Sequence, residues 1–176
     1  MEKKYLTWIE LSSDAFRKNI ATIRTLAGKR KIAAAVKANA YGHGLKEMIA
    51  LLDREDVEYV AVHSLEEAAG ARKFGWQRDI LIVGYISLSD LDAVFDLDLE
   101  PTVYNAETIG RLGKLAEKYG RRVQLHLKVE TGTNRQGVEL NRLEKIAGLI
   151  KRYPNLHLYG VSTHFANIED TTNHEY

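Results

Sequence analysis

One lysine of this sequence follows directly on a short apolar stretch. Residues 32–36, Ile-Ala-Ala-Ala-Val, carry no charge and suit a strand that is buried on both faces, and Lys37 comes next. Ligands of parallel α/β folds bind at the carboxyl ends of strands. A lysine there, if its pKa is depressed, is a nucleophilic amine that forms a Schiff base with a carbonyl compound. Position alone leaves open the ordinary alternative, a solvated lysine.

The residues after Lys37 predict a binding site for an anion. Tyr41 provides a phenol, Gly42 and Gly44 allow the backbone to approach a ligand, and a helical pattern starts near Leu45. A helix amino terminus presents free N–H groups and a positive dipole end, so a phosphate group would fit there, with the tyrosine hydroxyl as a further donor. We interpret His43 as structural.

Residues 35–44, Ala-Val-Lys-Ala-Asn-Ala-Tyr-Gly-His-Gly, closely resemble the cofactor-lysine motif of alanine racemases, fold-type III enzymes that use pyridoxal 5'-phosphate. The resemblance implies that Lys37 carries the cofactor as a Schiff base and also acts as one general base. It implies that Tyr41 binds the cofactor. The small-molecule substrate would be an amino acid.

A second stretch, residues 126–138, brings two cations to the end of a predicted strand, Lys128 and Arg135. An arginine can hold a carboxylate through two hydrogen bonds, but from the residues alone Arg135 could equally pair with Glu130 and shape the loop. The stretch resembles the second signature of alanine racemases. There the arginine contacts the cofactor oxygen and the substrate, and the lysine, often carbamylated, orients the arginine. The family more often has aspartate and methionine at the positions of Glu130 and Thr133.

A third stretch, residues 160–166, is predicted to be the end of a strand and carries His164. A histidine at such a position is commonly a structural group. The segment Thr-His-Phe-Ala resembles the racemase segment whose histidine lies beside the cofactor ring and helps to position the second base. The resemblance therefore implies that His164 belongs to the active site.

Composition and charge exclude several other classes. The chain has 176 residues, 25 basic and 24 acidic side chains and a formal charge of +1, which gives no reason to expect nucleic acid or a membrane surface as a partner. It has no cysteine and no signal-like apolar run, so we expect a cytoplasmic protein. The pairs Glu66/Glu67 and Asp96/Asp98 are interpreted as solvated helix or turn charges, and no spacing of histidines and carboxylates suggests a metal site.

Apolar periodicity and turn residues predict strands that alternate with helices. The predicted strands are 32–36, 59–62, 79–83, 101–104, 124–129 and 158–164, and the predicted helices are 12–26, 45–53, 64–74, 89–95, 106–119 and 140–152. The first helix is predicted to be amphipathic, with an apolar stripe of Phe16, Ile20, Ile23 and Leu26. The residues from Ser64 to Glu67 predict a capping box at the start of the third helix. The alternation of strands with helices predicts parallel pairing, in an open doubly wound sheet or in a (β/α)8 barrel. The racemase resemblance favours the barrel, truncated after about six strand–helix units.

The resemblance to alanine racemases implies one domain, 1–176, that corresponds to the pyridoxal-phosphate-binding barrel of this family and is incomplete. By resemblance, the complete enzyme is a homodimer, and the second base is a tyrosine of a carboxyl-terminal β domain. We therefore expect this chain alone to be inactive. The alternative is a non-catalytic pyridoxal-phosphate-binding protein of the same barrel class, with a fold-related decarboxylase as a weaker third reading.

Overall fold

The computed structural model describes residues 6–166. By its internal contacts the chain divides into two compact units, Met1–Leu81 and Ile82–Tyr176. Each unit alternates strands with helices, as the sequence predicts, and every strand pair with a resolved register is parallel. No helix of residues 6–166 is long and apolar enough to cross a membrane.

The first unit begins with a helix that is capped by Ser12, whose hydroxyl accepts the amide N–H of Ala15. Strand β1 pairs with β2, with Ala33 opposite Tyr59. The elements follow in the order α1 (Ser13–Ala27), β1 (Ala33–Ala35), α2 (Lys37–Tyr41), α3 (Leu45–Arg54), β2 (Tyr59–Val62), α4 (Leu65–Lys73) and β3 (Asp79–Ile82), the last of which contains the boundary between the units.

In the second unit β5 lies between β4 and β6, with Thr102 opposite His126 and Lys128 opposite Ser162. Asn105 caps the longest helix of this unit through a hydrogen bond to the amide of Thr108. The elements are α5 (Ala93–Asp96), β4 (Glu100–Val103), α6 (Ala106–Tyr119), β5 (Val123–Lys128), a 3₁₀ turn (Leu140–Arg142), α7 (Leu143–Ile150) and β6 (Leu156–Ser162).

Each unit has its own apolar core. In the first, helix α3 buries Leu45, Ile49 and Leu52, and every residue of β2 is buried. In the second, α6 buries its apolar side, including Ile109 and Leu112. Full burial of one such side chain contributes about 1.5–3 kcal/mol, so these helices hold the strands from which the candidate site residues emerge.

Two sequence-based expectations about burial are wrong. Strand β1 was expected to be buried on both faces, but Ala33 and Ala35 are exposed, because within residues 6–166 its resolved strand partner is β2 alone. The apolar stripe of α1 also differs, since Ile20 is buried whereas Ile23 and Leu26 are 45% and 79% exposed. The periodicity of the apolar residues identified the helix, but it did not show which of these residues are buried.

The prediction of the last strand needs correction as well. It was expected to run to His164, but β6 ends at Ser162. Its partner β5 ends at the same level, because Lys128 opposite Ser162 is the last register pair. Beyond this pair, the side-chain hydroxyl of Thr163 donates a hydrogen bond to the carbonyl of Val129 at 3.1 Å. In a continuing strand a backbone group would form such a bond. His164 therefore lies in the segment that follows the strand.

Two helical glycines provide a test of the packing of the second unit. A Cβ on Gly113 of α6 would lie 2.3 Å from two ring carbons of Tyr153, whereas one on Gly148 of α7 would meet nothing within 4 Å. Alanine is the better helix former by roughly 0.8–1 kcal/mol, so Gly148→Ala should raise the free energy of unfolding by about that amount. Gly113→Ala should lower it by about 1–3 kcal/mol, because the ring must move. Urea unfolding measures both, and equal signs would contradict the packing described.

Candidate active site

In the first unit Lys37 stands two residues beyond β1. The residue between, Val36, is buried, and its N–H donates to the carbonyl of Ala61 at 2.9 Å, which continues the pairing with β2. Lys37 itself is half-buried. The lysine thus leaves the sheet at the carboxyl end of β1, as the sequence predicted, and opens the single helical turn α2.

The turn that follows Lys37 is left-handed. Ala38, Asn39, Ala40 and Tyr41 all have φ between 52° and 54°, and none of them is glycine. For an L-residue this conformation costs roughly 1–2 kcal/mol, with asparagine the mildest case, so four in succession must be held by their surroundings. Strained backbone of this kind is concentrated at functional sites.

Hydrogen bonds on both sides of the turn hold it. The N–H of Ala40 donates to the carbonyl of Val36 at 2.8 Å. Asn39 accepts three times, since its carbonyl receives the N–H of Gly42 at 3.1 Å and that of Gly44 at 3.0 Å, and its side-chain Oδ1 receives the N–H of Leu45 at 2.8 Å. The asparagine therefore joins the turn to the start of α3.

The amino terminus of α3 differs from the open anion site that the sequence suggested. Its first amide, that of Leu45, is already bound by Asn39. The Glu47 carboxylate also lies over this end, because a Cβ on Gly44 would be 2.2 Å from its Oε2. Tyr41 of the motif is 61% exposed. The His43 ring contacts the carbonyl of Ala40 through Nδ1 at 2.8 Å, which agrees with a structural role.

Sequence reasoning missed one residue that binds the backbone beside Lys37, Glu67. It was interpreted as a solvated helix charge, yet its Oε1 accepts the N–H of Ala38 at 2.6 Å and its Oε2 accepts the N–H of His63 at 2.7 Å. The capping-box pattern from Ser64 to Glu67 did identify Glu67 as a group bound to the start of α4, and the structure shows that box. No sequence signal indicates the bond to Ala38, which is 29 residues away.

In the second unit Lys128 is the last residue of β5 and is half-buried. Burial lowers the pKa of its amine, and the nearby positive charge of Arg135 lowers the pKa further, while Glu130 acts in the opposite direction. The two cations that the sequence placed at a strand end are therefore close enough to interact.

The loop after β5 is organised by Glu130, which accepts the backbone N–H of Gly132 at 2.6 Å and that of Arg135 at 3.3 Å. Backbone hydrogen bonds, first from Asn134 and then from Gly132, lower the pKa of this carboxyl. Gly137 closes the loop, since a Cβ there would lie 2.4 Å from the amide nitrogen of Glu130.

This geometry changes the expected relation between Glu130 and Arg135. The carboxylate binds the backbone of the arginine, and the exposed guanidinium forms no ion pair with any carboxylate of residues 6–166. The structural alternative, in which the two side chains pair with each other, therefore does not describe this loop.

His164 is exposed and follows a threonine that is anchored to the same loop. The hydroxyls of Thr163 and Thr131 are 2.5 Å apart, and that of Thr163 also donates to the carbonyl of Val129. The second unit thus brings the segment with His164 next to the loop with Arg135.

The predicted site residues fall into two groups. Lys37 and Tyr41 lie in the first unit, and Lys128, Arg135 and His164 lie in the second. Within the described part of the chain no group of histidines and carboxylates is arranged to hold a metal ion.

Comparison with known proteins identifies the family. The family model described as alanine racemase, N-terminal domain, matches residues 11–176. An alanine racemase of Clostridium kluyveri is 32% identical over 97% of this chain and 44% of its own length. A broad specificity amino-acid racemase of Pseudomonas taetrolens is 35% identical over 93% of this chain and 41% of its own length.

Solved structures of alanine racemases have a similar fold. The alanine racemase of Clostridium difficile 630 in complex with cycloserine superposes with a TM-score of 0.81 and 31% identity, over 87% of this chain and 43% of that one. The alanine racemase of Oenococcus oeni gives a TM-score of 0.85 at 27% identity, over 94% and 48%.

The match defines an α/β protein with the fold of amino-acid racemases. The chain belongs to the alanine racemase family and corresponds to its N-terminal domain. It spans less than half the length of the relatives described above. The predicted family and fold class, a racemase barrel represented by six strand–helix units, are confirmed.

The electrostatic effect of Arg135 on Lys128 can be tested by titration. Arg135→Ala should raise the pKa of Lys128, because it removes the neighbouring positive charge, and Glu130→Gln should lower that pKa, because it removes the opposing negative charge. NMR of isotopically labelled lysine side chains follows the titration. Arg142→Ala, an exposed arginine of the 3₁₀ turn, is the matched control and should leave Lys128 unchanged. A Lys128 pKa that is unaffected by Arg135→Ala would show that the loop holds the guanidinium elsewhere.

Proposed function

We propose that this chain is the pyridoxal-phosphate-binding, amino-terminal part of an amino-acid racemase whose main substrate is alanine. The observation that carries the proposal is Lys37, which leaves the carboxyl end of β1 on a strained left-handed turn in a chain of the alanine racemase family. The relatives support an amino acid as substrate, since their names include both alanine racemase and broad specificity amino-acid racemase.

The groups present fit the cofactor. A primary amine is needed to bind its aldehyde, and Lys37 provides one at a strand end. Its phosphate needs hydrogen-bond donors, and the exposed hydroxyl of Tyr41 follows four residues later. Its phenolic oxygen or a substrate carboxylate needs a cation, and the Arg135 guanidinium has no carboxylate partner in residues 6–166.

When bound, pyridoxal phosphate supplies an electron sink that acidifies the Cα–H bond of an amino acid. Lys37 would hold the cofactor through its amine and would accept or return the Cα proton on one face. Arg135 binds an anionic oxygen through its planar fork. Lys128 supports Arg135 from the end of β5, and His164 belongs to the segment anchored beside that loop.

The proposal extends further by resemblance to the family. It includes a cytoplasmic homodimer in which a partner subunit provides the base for the opposite face. Its product, D-alanine, would supply the cell wall.

Trapping the cofactor tests the proposal. The purified chain is mixed with pyridoxal phosphate, its absorbance spectrum is recorded, and borohydride reduction is followed by peptide mass mapping. We expect a visible absorbance band and a single reduced adduct on Lys37. Both should be lost in Lys37→Arg and kept in Lys46→Arg, an exposed lysine of α3 that serves as the matched control. Equal labelling of many surface lysines in wild type and Lys37→Arg would contradict the assignment.

Hydrogen exchange separates a racemase part from a protein that only binds the cofactor. With cofactor in D₂O, a single base at Lys37 should exchange the Cα hydrogen of one alanine enantiomer and leave its configuration unchanged. NMR of the recovered alanine measures this exchange. Loss of exchange in Lys37→Arg supports the assigned base, whereas a trapped adduct without exchange of either enantiomer would favour the non-catalytic alternative.

A further inference from the structure

We propose that Glu67 is a positioning residue for Lys37, which it directs by holding the first amide of the left-handed turn. The inference rests on the proposed function, because that function gives Lys37 its role. Glu67 belongs to helix α4 and is half-buried, and nothing in the cofactor-lysine motif itself includes it.

The two oxygens of the Glu67 carboxylate bind different parts of the first unit. Oε1 accepts the N–H of Ala38 at 2.6 Å, and Oε2 accepts the N–H of His63 at 2.7 Å and that of Ser64 at 3.4 Å. Hydrogen bonds from backbone amides to a carboxylate are shorter and about twice as strong as neutral ones. One side chain therefore joins the residue after Lys37 to the residues after β2.

The bond to Ala38 fixes the peptide group on the carboxyl side of Lys37. Because that peptide is planar, holding its N–H direction fixes ψ of Lys37 and restricts φ of Ala38, which is 52°. The next backbone amide held by the turn is that of Ala40, which donates to Val36. Glu67 is thus the partner closest to Lys37 that opposes relaxation of the strained backbone.

The support behind Glu67 is rigid. Its own N–H donates to the hydroxyl of Ser64 at 3.4 Å, which completes the capping box of α4. Helix α4 is fixed to the core of the unit by Ala68 and Ala71, both fully buried. The carboxylate consequently acts as a clamp between the neighbouring carboxyl ends of β1 and β2, which pair in parallel.

Two substitutions separate positioning from helix capping. Glu67→Gln keeps the size of the side chain but replaces one acceptor oxygen by an NH₂ donor, so it cannot accept from both Ala38 and His63. Ser64→Ala removes the other half of the same capping box and leaves the bond to Ala38 in place. A residue that serves only the helix would give the same result in both variants.

The experiment combines two measurements on the full chain. Amide hydrogen exchange of Ala38 is followed by NMR without cofactor, and formation of the borohydride-trapped adduct on Lys37 is timed with pyridoxal phosphate. In Glu67→Gln we expect the Ala38 amide to exchange about tenfold faster and the adduct to form about tenfold more slowly, the scale of one lost charge-assisted hydrogen bond. In Ser64→Ala both rates should stay within about twofold of wild type, although the thermal midpoint falls.

The proposal is overturned if Ala38 exchange is unchanged in Glu67→Gln, or if Ser64→Ala alters both rates as much as Glu67→Gln does. These outcomes are distinct from failure of the proposed function. A wild-type chain that forms no Lys37 adduct contradicts that function, and the exchange rate of the Ala38 amide still decides whether Glu67 holds the turn.

Discussion

The left-handed turn after Lys37 is the constraint on which the position of that lysine depends. Four consecutive residues without glycine have φ near +53°, a conformation that an unsupported chain would leave. Hydrogen bonds accepted by Val36, Asn39 and Glu67 hold it in place. Each such bond contributes about 0.5–1.5 kcal/mol, and more when one partner is charged. The position of Lys37 is therefore set by many partners together.

The second unit also contains a carboxylate that accepts hydrogen bonds from backbone amides near a cationic side chain. There the Glu130 carboxylate binds backbone amides of its own loop and leaves the Arg135 guanidinium without a carboxylate partner in residues 6–166. In the first unit the Glu67 carboxylate binds the amide after Lys37. In both, an acidic side chain stabilises the backbone beside a cation and does not neutralise the cation itself. A direct ion pair at either place would compete with an anionic ligand.

The order of the elements and the family could be predicted from the sequence, because both depend on local patterns of residues. The order of strands and helices follows from apolar periodicity, and the family follows from the runs that contain Lys37 and Arg135. The roles assigned to Lys37, Tyr41, Lys128, Arg135 and His164 remain predictions. The exposure of Ala33 and the end of β6 at Ser162 were not predicted. Both depend on which neighbouring strand pairs with the residue and where that strand ends, and a local pattern does not contain this information.

The left-handed turn itself had no sequence signal either. Ala-Asn-Ala-Tyr contains no glycine, and alanine ordinarily favours the right-handed helix. The conformation is imposed by partners as remote as Glu67, which the local pattern marks only as a capping residue. Tertiary contacts thus override local preference at the point where the candidate chemistry lies, as is expected of functional sites.

The most direct test of this account is the stability of Ala38→Gly against that of Ala21→Gly. Both alanines are exposed, but Ala38 lies in the left-handed turn and Ala21 in the right-handed helix α1. Glycine relieves the strain of a positive φ, so Ala38→Gly should raise the free energy of unfolding by about 0.5–1 kcal/mol, whereas Ala21→Gly should lower it by about 1 kcal/mol. Urea unfolding of the two variants beside wild type gives the answer. If Ala38→Gly lowers stability as much as Ala21→Gly does, the backbone after Lys37 is not left-handed and the account is wrong.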